Sequence, residues 1–145
     1  MQEIVIKKLH EYISQNNPDL FITLTEEGNL TKYLSAKVDA IQDFVEHLKQ
    51  TNTPAYIIEE ECMQALTKDL KPSKFNYICA ILEEDFEKTH QQLQQSGTLV
   101  YEAINMINYC KPVFESLGFS QENEDDRQLR YAVTGAISEY LEMNQ

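Results

Sequence analysis

Four glycines and four prolines are all the turn-forming material in 145 residues. A chain so poor in both cannot supply the many tight turns that a sandwich or barrel of short strands demands. Helices are therefore the expected element throughout, and the apolar residues recur at three and four positions as helices require. Ile4, Val5, Leu9, Tyr12 and Ile13 mark an amphipathic helix over residues 1–15, ended by Asn16, Asn17 and Pro18. Leu20 to Leu24 is a short apolar piece before the turn chemistry of Glu26 to Asn29, and Phe21 and Ile22 in it are expected to tuck under the next helix as a loop or a short turn of helix. Leu30, Tyr33, Leu34, Val38, Ile41, Phe44, Val45 and Leu48 hold helical spacing without a break, the clearest element in the sequence.

Thr53 as an N-cap with Pro54 at the first helical position starts a third helix, which turns Ile58, Cys62, Ala65, Leu66 and Leu70 inward. Ser73 caps a fourth, with Phe75, Ile78, Cys79, Leu82 and Phe86 on its buried line, running on to Ser96 and Gly97. The fifth carries Val100, Ala103, Ile104, Ile107 and Cys110, and Pro112 kinks or restarts it before Val113, Phe114, Leu117 and the Gly118 stop. Ser120 to Asp126 reads as a solvated acidic linker whose Asp125 or Asp126 caps the last helix. That helix is amphipathic through Leu129, Val133, Ala136, Ile137, Tyr140 and Leu141, and Gly135 inside it suggests a close helix crossing. No self-similar period is evident, so a solenoid is not indicated. The expectation is an all-α fold, a single globular bundle of about six helices. Its core spans residues 1–119, with the acidic linker at 120–126 and a C-terminal helix at 127–145 packing on the same domain.

Apolar residues make up 42% of the chain, and a domain of this length hides roughly 70% of its unfolded surface, so neither a disulfide nor a metal is needed for folding. Twenty-four acids against 12 bases give a net charge of −12, which repels polyanions and disfavours direct contact with nucleic acid or an anionic membrane. Glu3, Lys7, Lys8, His10 and Glu11 interrupt any signal-peptide core, and no run approaches a membrane span, which places the protein in the cytoplasm. Cys62, Cys79 and Cys110 lie on apolar stripes, far apart, and read as buried reduced thiols.

Chemistry is thinly signalled. A carboxylate-bridged metal site needs Glu-x-x-His on two helices, and only Glu87 to His90 fits, since Lys7 precedes His10 and Phe44 precedes His47. Glu87 and His90 are therefore the candidates for a metal-binding bundle or a small metal-dependent enzyme, set against a partly packed imidazole. Asp43 and His47 are within hydrogen-bond reach on one helix, an ordinary surface pair. No nucleophile elbow and no Gly-rich phosphate cradle is present, and no cofactor is expected. Two acidic clusters remain, Glu59, Glu60, Glu61 and Glu83, Glu84, Asp85. Beyond keeping the protein dispersed, they suit docking onto a basic protein partner or imitation of a polyanion in the groove of a DNA-binding protein. Tyr56 and Ile57 make the third helix apolar on more than one side, which leaves room for a second copy of the chain.

Tyr12 to Leu20 (YISQNNPDL) and Leu70 to Phe86 (LKPSKFNYICAILEEDF) resemble a family of small helical proteins of unknown function from Bacteroides-group bacteria. Pro18 and Leu20 match the family's first helix stop, with Asn17 where His is usual. Leu70 and Ser73 match its later helix entry, with Pro72 where Phe and Phe75 where Tyr are usual, and Asp85 and Phe86 match the end of that helix. The resemblance covers about residues 3–90. It implies an all-helical fold and no catalytic residues, and the family's association with conjugative elements implies an interaction or regulatory role.

Overall fold

The computed structural model describes residues 2–144. Among them are ten α-helices, rather than about six: α1 (Gln2–Asn16), α2 (Pro18–Glu26), α3 (Leu30–Ala40), α4 (Gln42–Gln50), α5 (Ala55–Thr67), α6 (Lys74–Asp85), α7 (Glu87–Ser96), α8 (Leu99–Tyr109), α9 (Lys111–Leu117) and α10 (Arg127–Met143). A short 3-10 turn, Lys68–Leu70, extends α5. No described helix is long and apolar enough to cross a membrane.

The extra helices come from single-residue breaks at Asn17, Ile41, Phe86 and Cys110. Each of these residues caps one helix and opens the next while its own N–H and carbonyl both stay hydrogen-bonded to backbone. Asn17 N–H donates to the Ile13 carbonyl and the Asn17 carbonyl accepts from Phe21 N–H (2.8 and 2.9 Å). Phe86 and Cys110 do the same with Leu82 and His90, and with Met106 and Phe114. At Ile41 the incoming bond tightens to the Val38 carbonyl (3.2 Å), a 3-10 closure. Because the hydrogen-bond ladder runs on, no capping residue is required and the apolar spacing continues across each bend. Pro18 and Pro112 account for two of the breaks. A residue before proline is pushed out of the helical region, and Asn17 sits at φ −133°, ψ 56°. Pro112, at the start of α9, has no N–H for the preceding turn.

The chain divides into two compact units between Lys71 and Pro72. In the first, Val5, Leu9, Ile13, Leu34, Val38, Val45, Ile58, Cys62, Leu66 and Leu70 form the buried cluster. In the second, the cluster is built from Ile78, Ile81, Leu82, Ala103, Met106, Ile107, Cys110, Phe114, Leu129, Val133, Ala136 and Ile137. Where one bundle with one core was expected, each unit thus has its own. Six residues expected to face inward are exposed instead: Ile4, Ile22, Phe44, Ala65, Val100 and Leu117. Residues 120–126 form a hydrogen-bonded turn, in which Asn123 Nδ2 donates to the Leu117 and Gly118 carbonyls (2.8 and 3.0 Å). Asp126 stands at the N-cap of α10 with no side-chain cap bond.

The two units repeat one design, against the expectation that the chain has no internal period. In the first, α1 packs on α2, α3 and α5, and α4 packs on α3 and α5. In the second, α6 packs on α7, α8 and α10, and α9 packs on α8 and α10. One spacing along the chain separates the break residues Asn17 and Phe86, the left-handed glycines Gly28 (φ 72°) and Gly97 (φ 75°), and the break residues Ile41 and Cys110. It also pairs the buried residues Leu9 with Ile78, Ile13 with Leu82, Val38 with Ile107 and Val45 with Phe114. A slightly longer spacing pairs Ile58 with Leu129, Cys62 with Val133 and Leu66 with Ile137 on the last helix of each unit. Few identities survive between the halves (among them Leu24 with Leu93, Gly28 with Gly97, Leu30 with Leu99, Glu46 with Glu115, Leu48 with Leu117, Ala65 with Ala136 and Leu70 with Leu141), so the period is carried by burial and turn geometry more than by letters.

Candidate functional site

The two acidic clusters belong to different units. Glu59, Glu60 and Glu61 occupy consecutive positions in the middle of α5, and their side chains fan around the helix. Glu59, half-buried, accepts from Lys8 Nζ of α1 at 2.8 Å, while Glu60 is exposed and has no ion pair among the described residues. Glu83, Glu84 and Asp85 form the last turn of α6, where the helix dipole opposes negative charge. Arg130 of α10 offsets this by donating to Glu84 Oε2 (2.9 Å) and Asp85 Oδ2 (3.1 Å). These pairs leave Glu60, Glu61 and Glu83 as the cluster members with no ion pair among the described residues.

Glu87 opens α7 and is exposed, whereas His90, three residues on, is only 9% exposed. His90 stands at the position that matches Phe21 of the first unit, whose ring packs against that unit's core and meets His10 edge-on at 5.2 Å. An imidazole filling an aromatic slot is the packed role that the sequence set against metal ligation. Among the described residues, no group of three or more His, Cys, Asp or Glu side chains is placed to hold an ion.

All three thiols are free and protonated at neutral pH. Burial raises Cys79 and Cys110 to about 11, with Glu83 adding to the effect at Cys79. Burial, then Glu59 and Glu61, raises Cys62 as well. Thiols held protonated in apolar surroundings are poor nucleophiles.

Among the concavities that lie within single units, two combine apolar and polar lining, and no reading of the sequence anticipates them. In the second unit a cleft of about 470 Å³ is lined by Thr89, Leu93, Tyr101, Glu102, Tyr140 and Leu141, among others. Tyr140 donates its hydroxyl to Glu102 Oε2 at 2.7 Å, and burial together with this carboxylate pushes the phenol up to about 12. In the first unit a cavity of about 400 Å³ opens between the start of α1, the end of α3, α4 and α5. Its floor is apolar (Val5, Val38, Ile41, Val45, Cys62) and its rim polar (Gln2, Glu3, Gln42, Lys49). No sequence motif marks either, because each is assembled from residues far apart in the chain.

A family model described as a domain of unknown function (DUF1896) matches residues 6–145, so the match includes the last third of the chain, which the resemblance to residues 3–90 left out. No curated protein and no solved structure matches the chain significantly.

Proposed function

From the premise that this chain belongs to the DUF1896 family, a domain of unknown function, we propose that it is a protein-interaction module that docks a basic partner through the outer face of α5. The observation that carries this reading is the pairing of Tyr56 with Glu60 on that helix. Tyr56 is 67% exposed, and Glu60 stands one turn further along with no ion pair among the described residues. Exposed tyrosine supplies contact area at low entropic cost, and a carboxylate beside it selects a cationic counterpart. The net charge of −12 speeds encounter with a basic protein and repels acidic ones. By contrast, Glu84 and Asp85 are already held by Arg130 and have less charge to offer.

Affinity capture from host lysate at low salt tests this, with a salt gradient for elution and mass spectrometry of what elutes. A basic protein held by the unaltered chain, and lost from a folded Tyr56→Ala, Glu60→Lys double variant, is the expected result. Equal capture by both chains, or no basic protein at low salt, overturns the reading.

A further inference from the structure

The repeat gives the cavity of the first unit a meaning that its lining alone does not. Its floor residues Val5, Val38, Ile41, Val45 and Cys62 match Lys74, Ile107, Cys110, Phe114 and Val133 of the second unit. There an aromatic ring, Phe114, stands where the first unit has Val45. Phe114, only 2% exposed, places its ring against Phe119 (centroids 4.9 Å apart) and Tyr77 (6.1 Å), with Lys74 Nζ 5.4 Å from the ring centroid. In the first unit the matching helix position carries Val45, too short to reach across, and about 400 Å³ stays open. That volume falls within the range of small-molecule sites, which combine an apolar floor with a few polar groups that fix orientation.

We propose that this cavity binds a small aromatic amino acid, whose ring takes the place that Phe114 occupies in the second unit. The rim supports the choice of ligand. Glu3 and Lys49 line it with opposite charges, the complement of an ammonium and a carboxylate on one ligand. Lys49 stands in a loose, exposed pair with Glu46 (3.7 Å), which a ligand carboxylate can displace. The strongly negative chain disfavours a ligand that is only an anion, so a zwitterion is preferred to a simple aromatic acid. Val5, Val38, Val45 and Cys62 are already buried, so the surface withdrawn from water is that of the ring itself and of the partly exposed Ile41, which supplies the affinity, while the rim supplies the discrimination.

The proposal is independent of the docking face on α5 and is tested by titrating the intact protein with L-phenylalanine while recording amide proton–nitrogen spectra. Saturable shifts at Val5, Val38, Ile41, Val45 and Cys62 are expected at millimolar ligand, with L-leucine binding more weakly. Val45→Phe, which copies the second unit, should keep the dispersed spectrum and lose the shifts. Lys49→Ala, on an exposed position, should weaken phenylalanine binding by about tenfold through loss of a charge-assisted contact. Three outcomes overturn the proposal: no shifts at the floor residues, shifts that persist in Val45→Phe, or N-acetyl-phenylalanine amide binding as well as phenylalanine. The last would mean that the charges are not read and that a peptide side chain is the occupant.

Discussion

Gly135 lies inside α10, where glycine has no conformational role to play, and a Cβ built there would meet nothing within 4 Å. The close helix crossing that its position suggested is absent, and its cost is the entropy of a flexible residue in a helix. Gly135→Ala should therefore stabilise the protein by about 0.5–1 kcal/mol, read as a rise in the urea midpoint without a change in slope. A fall in the midpoint would show that something does pack there. The buried thiols and Tyr140 set the alkaline limit. Their folded-state pKa values lie above the ordinary ones, 9.0 for a thiol and 10.0 for a phenol, and reach about 11 for Cys79 and Cys110 and about 12 for Tyr140. The unfolded chain thus loses these protons first, so the stability they contribute is complete below pH 9 and declines as pH rises toward 11. Urea midpoints should fall over that window, and Cys110→Ala should flatten the fall. An unchanged slope in the variant would place the sensitivity elsewhere.

Ser73 is the one helix start whose cap was legible and is built as read: its Oγ accepts from Asn76 N–H at 3.0 Å and opens α6. Ser73→Ala should cost about 1 kcal/mol, while Ser73→Asp should recover most of it, as measured by thermal melts. The helix boundaries at Ile41 and Phe86 were not legible, because neither glycine, proline nor a capping side chain marks them and the ladder of backbone bonds runs on through the bend. Pro112 did signal a break, and Pro18 was read only as an ending although it also begins α2. Matching elements of the two units also exchange partners. Lys37 Nζ lies 5.9 Å from the ring centroid of Tyr33 in α3 and bonds Asp69 after α5 at 2.7 Å. In the second unit the acid is Glu102 of α8 and the tyrosine is Tyr140 of α10. The two matching positions carry one tyrosine and one acid in each unit with their places swapped, bridged by Lys37 in the first and bonded directly in the second, a relation that aligning identical letters cannot show.

Two clusters of buried residues rather than one change what destabilisation should look like. Ten of the residues expected to face inward on the first three helices do form a core, and the sequence showed them well because amphipathic spacing reports burial directly. It did not show which core a helix joins, since spacing says that a face is covered but not by what. Leu9 and Ile78 hold matching positions, each fully buried at the centre of its own cluster. Leu9→Ala and Ile78→Ala should each remove about 2–5 kcal/mol of local stability, from the lost methyl groups and the space left behind. If the two clusters are separate cooperative units, Leu9→Ala lowers amide hydrogen-exchange protection across α1 to α5 and leaves α6 to α10 near their original values, and Ile78→Ala does the reverse. The measurement is native-state exchange followed residue by residue at low denaturant. Loss of protection spread evenly over all ten helices in either variant would show that the repeated units unfold as one, whatever their separate cores.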